Sequence, residues 1–172
     1  MEIKIEKPIC YMLVGLPGCG KTTWRNKTIG VLSSIHGLFQ VVSSDEWIEA
    51  YAHKTFRTYD DVFKEYVPTA SQLMHRQLEE AISNKWNILW DQTNLTEKAW
   101  KFKLDRVKKA GYETVAILFL TDPALCVERQ KLRPGKNIPN NVFMQMVENY
   151  KPLANGTKNL LDYFDKVVYI NE

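Results

Sequence analysis

The run Ile9-Cys10-Tyr11-Met12-Leu13-Val14 closes directly on Gly15-Leu16-Pro17-Gly18-Cys19-Gly20-Lys21-Thr22, a strand-like segment leading into a complete phosphate-binding loop, with helix-like sequence beyond it. The residue types follow from the geometry that such a loop needs. Glycines at 15, 18 and 20 let the backbone wrap closely enough to aim several N–H groups at phosphate oxygens, and the helix that follows adds its positive end. Lys21 neutralises the β- and γ-phosphates, and Thr22 offers a hydroxyl to Mg²⁺. Gly15, Pro17, Gly18, Cys19, Gly20, Lys21, Thr22 and Thr23 are therefore the expected contacts to ATP.

Outward from this loop, short apolar runs recur at Ile9–Val14, Phe39–Val42, Asn87–Trp90, Thr114–Leu120 and Val167–Ile170, separated by helical patterns at Thr22–Ser34, about Ala70–Ser83, Glu97–Ala110, Ala124–Leu132 and Asn141–Ala154. That alternation predicts an α/β fold, a parallel sheet flanked by helices on both faces, as in P-loop NTPases, with a helical lid. Thr96 and Asp122 read as helix caps, Pro123 as a first helical residue and Gly111 as a helix stop. At 172 residues and 45% hydrophobic composition, one domain over 1–172 is expected. A net charge of +3 neither demands nor excludes an anionic partner. Cysteines at 10, 19 and 126 lack the spacing of a disulfide framework or zinc site, and no apolar run approaches a membrane span, so a cytoplasmic protein without a membrane partner is expected. Self-association is left open.

A carboxylate or loop follows each strand: the phosphate loop after the first, Asp45 after the second, Asp91 after the third and Asp122 after the fourth. Ligands in open parallel sheets bind outside the carboxyl ends of the strands, so these acids are candidates for metal and proton chemistry. Asp122 reads as a cap. Asp45 is the candidate general base, on the expectation that the second strand lies beside the first and presents it across the crevice to the γ-phosphate. Asp91 is placed to orient Mg²⁺ through water, and Gln92, Thr93 and Asn94 supply donors and acceptors for an acceptor's phosphate or sugar. The stretch from Arg129 to Pro139, interrupted by Pro134 and Gly135, reads as a cationic lid; Arg129 and Arg133 are its candidate phosphate-binding residues, and Lys131 and Lys136 read as solvated charge.

With these residues in view, the chain resembles the P-loop kinase domain of bacteriophage 5′-polynucleotide kinase and its relatives over nearly its whole length. The resemblance rests on Gly15 to Trp24, on Ser44-Asp45-Glu46-Trp47, on Asp91-Gln92-Thr93-Asn94-Leu95, and on the lid from Arg129 to Pro139, including Ile138. It implies transfer of the γ-phosphate of ATP, with Mg²⁺, to a 5′-hydroxyl end of DNA or RNA, as in nucleic acid repair. Asp45 is then general base, Lys21 and Arg133 act on the ATP phosphates, and Thr93 lies in the groove for the acceptor's 3′-phosphate. Two departures matter. Ile48 stands where the family has an arginine that grips the acceptor phosphate, with Lys54, Arg57, His75 and Arg76 as substitutes to consider, and the family's phosphatase motif is missing. The Asp-Gln-Thr-Asn string is also similar to that of the kinase-like domain of heterogeneous nuclear ribonucleoprotein U, which implies a rival class, a binding module that transfers no phosphate; a nucleoside or sugar kinase is a third.

Trp47, two residues past Asp45, can either stack an acceptor base or be buried against its helix. Trp24, Trp86, Trp90 and Trp100 read as core. His36 and His53 have no partners at metal spacing, and Cys19, near a helix N-terminus, is expected to have a lowered pKa and to be open to oxidation or alkylation.

Overall fold

A computed structural model describes residues 6–171 of the chain. Five strands, β1 (Ile9–Val14), β2 (Phe39–Val42), β3 (Asn87–Trp90), β4 (Glu113–Leu120) and β5 (Lys166–Asn171), form one parallel sheet in the order β2-β3-β1-β4-β5. The strand positions are those the apolar runs predict, because strands buried on both faces read as continuous hydrophobic sequence; all four residues of β3 are buried. The expected neighbour of β1 is corrected. β3, not β2, pairs with β1, with Met12 opposite Trp90, so β2 lies one strand further out.

Residues level with one another across parallel strands share a face. Tyr11, Leu89 and Val115 mark one, where Trp24 of α1 (Lys21–His36) meets Phe119 edge-on at 6.0 Å. Cys10, Ile88 and Thr114 mark the other, where Lys103 of α4 (Glu97–Lys109) lies 5.0 Å above the Trp90 ring. Trp90 and Trp100 are fully buried, whereas Trp24 and Trp86 are only half-buried at the margin of the main core.

Two helices depart from the sequence pattern. α2 (Ser44–Lys54) starts inside the motif that follows β2, and α3 (Tyr59–Ser83) begins well before the expected Ala70. Pro68 sits inside α3, which is nucleated upstream by a capping box between Thr58 and Asp61. Ile48 and Ala52 of α2 bury against Val62 and Ala70 of α3, making a small second core separate from the main one. Thr96 and Asp122 cap α4 and α5 (Pro123–Lys131) by accepting from Ala99 and Ala124. Between α5 and α6 (Asn140–Ala154), residues 132–139 form a non-helical loop, so the lid is helical only over its first three residues, 129–131. Among the described residues no helix is long and apolar enough to cross a membrane.

Candidate functional site

The loop 15–20 folds in the manner that its glycines require. Gly18 and Gly20 have φ of 84° and 93°, the left-handed region, and a Cβ on Gly18 would lie 2.9 Å from the Cys126 carbonyl oxygen. Lys21 curls back over the loop, donating to the carbonyls of Gly15 (2.9 Å) and Leu16 (2.8 Å). Thr22 and Thr23 are exposed in the first turn of α1, while Pro17 is buried. The loop is stitched to its surroundings by Thr121 donating to the Cys19 carbonyl and by Arg129 donating to the Gly18 carbonyl. Cys19 itself departs from expectation. Its thiol is buried, and burial pushes its pKa up despite the neighbouring Lys21 ammonium.

The loop after β3 is bound to both of its neighbours. Gly15 N–H donates to the Thr93 carbonyl (3.0 Å), Asn94 Nδ2 to the Leu13 carbonyl (2.8 Å) and Gln92 Nε2 to Ser44 Oγ (3.0 Å). Asn94 is buried with φ of 49°, so Gln92 and Asn94 spend their amides within the protein, and Thr93 is the half-buried member between them. Asp91 pairs through Oδ2 with Arg25 of α1 at 2.9 Å, and the same guanidinium reaches Glu46 of α2 at 2.7 Å. Burial raises the Asp91 carboxyl above its ordinary value, with the Arg25 and Lys21 charges opposing.

Asp45 lies in the first turn of α2 with its side chain 53% exposed. Its Oδ1 accepts from the Tyr59 hydroxyl at 2.8 Å and its Oδ2 from Lys136 at 2.9 Å. Burial works to raise its carboxyl, but the Lys136 charge, the bonds from Lys136 and Tyr59 and the charge of Arg133 together hold it below the usual carboxylate value. The Tyr59 phenol moves the other way, raised by burial and by Asp45, and stays a donor. Lys136 is not the solvated charge expected of it: its side chain is 14% exposed, it also pairs with Glu49 at 2.7 Å, and its ammonium sits 4.2 Å from the Tyr59 ring centroid. The lid is seated there by main-chain bonds as well, Asp60 N–H donating to the Gly135 carbonyl and Asn137 N–H to the Asp60 carboxylate. Lys131 is exposed as expected, and Ile138 packs against the margin of the main core.

Trp47 donates its indole N–H to Gln77 (3.0 Å) and packs on the second core. Ile48 is 1% exposed within that core, so the position of the missing arginine does not face the cleft. Of the substitutes considered, Arg57 is tied to Glu65 and the Asp61 carbonyl. The sequence reading missed Arg25, Tyr59, Lys103 and Lys136. Arg25 had a readable signal, standing one helical turn beyond Lys21 on the same face; the other three depend on contacts between distant segments. Among the described residues no cluster of three or more His, Cys, Asp or Glu forms a metal cage. The donor set, an exposed Thr22 hydroxyl and an Asp91 that keeps one oxygen outside its ion pair, suits Mg²⁺ carried on phosphate and water.

Comparison with known proteins bears on this site. Heterogeneous nuclear ribonucleoprotein U-like protein 2 of Mus musculus and of Homo sapiens is 24% identical over 169 residues, 96% of this chain and 22% of either relative, so the chain spans under a quarter of their length. The structure of the Pnkp1/Rnl/Hen1 RNA repair complex is similar with a TM-score of 0.67 and 17% identity, over 92% of this chain and 48% of that one. Shikimate kinase from Acinetobacter baumannii, in complex with shikimate, gives a TM-score of 0.53 and 21% identity over 97% and 86%. At such identities these structures establish the fold, an α/β P-loop NTPase of kinase-like form. A family model described as an AAA domain matches residues 11–153, and the chain belongs to that family, AAA_33.

Proposed function

We propose that the chain, as a single domain, is an ATP-dependent 5′-hydroxyl polynucleotide kinase with Asp45 as general base. The observation that carries this reading is the Asp45 carboxylate itself, exposed at the carboxyl end of the sheet and kept ionised by Lys136, Tyr59 and Arg133. A base that must accept a proton from a hydroxyl has to stand free of that proton at neutral pH. Each of its oxygens accepts one bond and keeps a second lone pair for the acceptor hydroxyl, and of the two present donors Lys136 is the one borne on the lid. As the acceptor oxygen attacks the γ-phosphorus in line, its proton passes to Asp45 and the bond to the leaving ADP oxygen breaks. Lys21 and Arg133 stabilise the charge on the transferring group, with Gly15 to Thr23 and Arg129 holding the nucleotide. Thr22 directly and Asp91 through water would hold Mg²⁺, which neutralises phosphate charge when bound. Gln92, Thr93, Asn94, Trp47 and Ile138 are assigned to the acceptor side, Thr93 being the one whose side chain is not committed to a hydrogen bond or core among the described residues. The likeness to the RNA repair complex supports a nucleic acid acceptor.

A smaller acceptor, a nucleoside or sugar, is the second reading. It is favoured by the acids that crowd Asp45, namely Glu46, Glu49 and Asp60, each already engaged by Arg25, Lys136 or Asn137. Phosphate transfer from labelled ATP and Mg²⁺ to a 5′-hydroxyl oligonucleotide, beside a free nucleoside and an Asp45→Ala control, decides between them. Transfer to the oligonucleotide that vanishes in the control supports the kinase; transfer to the nucleoside alone replaces it with the second reading; ATP binding without transfer to either leaves a binding module.

A further inference from the structure

We propose that Lys103 is a positioning residue for phosphoryl transfer: from α4, its ammonium clamps the loop after β3 and so holds the phosphate loop and the Asp45 helix in mutual register. The inference rests on the kinase reading above, but its structural half can be measured without it. Lys103 Nζ donates to Gln92 Oε1 at 2.7 Å and to Asn94 Oδ1 at 2.5 Å. These are the two ends of the loop's tether. With their oxygens turned to the cation, Gln92 directs its nitrogen to Ser44, the residue before Asp45, and Asn94 directs its nitrogen to the Leu13 carbonyl, two residues before Gly15. Between them the Thr93 carbonyl receives the Gly15 N–H. One ammonium thus helps fix which way two amides face, the half-buried one of Gln92 and the buried one of Asn94, and those amides join the nucleotide side of the cleft to the acceptor side. Without the charge, the Gln92 oxygen keeps only the Trp90 indole N–H and the Asn94 oxygen is left unpaired in a buried site, so the loop's tether is loosened at both ends.

The surroundings show that this ammonium is present for its donors and not for an ion pair. Among the described residues no carboxylate pairs with it. From β3 it faces the Trp90 ring, whose Nε1–H shares Gln92 Oε1, and from β1 it faces Cys10, whose thiol burial pushes up to about 12 and which is therefore neutral. Burial lowers Lys103 to about 8. The linkage sign is distinctive. A lysine whose pKa falls on folding leaves the unfolded chain holding more protons between pH 8 and the free-lysine value near ~10.4, so its contribution to stability rises with pH across that window. The clamp weakens over the same window, because the neutral amine keeps two N–H donors but loses the charge that strengthens them, so stability and loop order move in opposite directions.

The test compares the intact chain with Lys103→Met and Lys103→Arg, reading melting temperature, the hydrogen-exchange protection factor of the Gly15 amide, and kcat and KM for phosphate transfer. In Lys103→Met, Gly15 protection is expected to fall roughly 10- to 100-fold, the scale of losing charge-assisted hydrogen bonds, with kcat falling and KM for ATP little changed. Lys103→Arg, which keeps its charge, is expected to recover both and to abolish the decline in protection that the unaltered protein shows as pH climbs through about 8. Gly15 protection unchanged in Lys103→Met, or a Lys103→Arg protein of normal melting temperature that recovers nothing, overturns the proposal. Lost Gly15 protection in Lys103→Met with recovery in Lys103→Arg, in a protein that phosphorylates no acceptor, supports the clamp and removes the kinase reading alone.

Discussion

Replacing Lys136 by Met tests whether the lid and the candidate base are one device. The side chain makes three attractive contacts, to Asp45 at 2.9 Å, to Glu49 at 2.7 Å and to the face of Tyr59, all on the α2–α3 hairpin and all from a lid residue. Both carboxylates are about half exposed, so each pair belongs to the solvent-screened class of about 0.2–1 kcal/mol, and the cation–ring contact adds about 0.5–1 kcal/mol. The three together bias the lid toward its seated position by roughly 1–3 kcal/mol, about 5- to 150-fold in the ratio of seated to free lid. The assay is amide exchange at Asp60 and Asn137, whose N–H groups bond to Gly135 and to the Asp60 carboxylate and so report lid seating directly. Exchange should quicken by that factor in Lys136→Met and be near normal in Lys136→Arg. The same substitution acts on Asp45. Because the folded carboxyl lies below its usual value, the stabilisation of its charge is present above the unfolded pKa and is lost as pH falls through the folded one. Removing Lys136 should therefore move the acid limb of kcat/KM to higher pH. Exchange rates and acid limb both unchanged would refute the coupling of lid and base.

Asp45→Asn should lower kcat by roughly two to four decades, the range for general base catalysis, with ATP affinity retained in a binding titration. Gly18→Ala should lower the melting temperature, by about 1–3 kcal/mol of stability, and abolish nucleotide binding, since φ is 84° and the new methyl would press on the Cys126 carbonyl. Ile48→Arg should not restore an acceptor-phosphate contact; it should unfold the α2–α3 hairpin or cost several kcal/mol in denaturant titration, because the position is 1% exposed in the second core. Cys10, Cys19 and Cys126 should all resist a thiol reagent in the native protein and react together on denaturation; rapid native labelling of Cys19 would contradict its burial and raised pKa.

What was legible in the sequence is what is local. The five strands, the loop 15–22 and the caps at Thr96 and Asp122 are each set by residues within a few positions of one another, so runs and spacings reveal them. The α2–α3 hairpin was half-hidden because the small core it builds joins Ile48 to Val62 and Ala70 across a turn. The order of the sheet was not legible at all: nothing in Phe39–Val42 says that it pairs with Asn87–Trp90 rather than with Ile9–Val14, since all three are apolar runs of similar make. Lys136 and Lys103 were illegible for a related reason, their roles coming from partners 91 and, at most, 11 positions away that no periodicity connects.

The two aspartates at the strand ends show why this matters for chemistry. Asp45 and Asp91 occupy matching places, each just beyond a strand of the same sheet, and in sequence they are equivalent candidates. Their surroundings divide them. Asp91 is sunk beside β1 with its carboxyl raised by burial, one oxygen taken by Arg25, a guanidinium that cannot give up its proton, and the main chain held to Val42. Asp45 stands further out at β2, with its carboxyl lowered and its two donors, a phenol and a lid ammonium, both reversible. A fixed, paired carboxylate suits an orienting role beside phosphate, and an exposed one whose donor can leave with the lid suits proton transfer. The sheet order that places β3 between β1 and β2 puts Asp91 at the end of the strand beside the phosphate loop and Asp45 beyond the next strand out, and the two proposed roles rest on that separation.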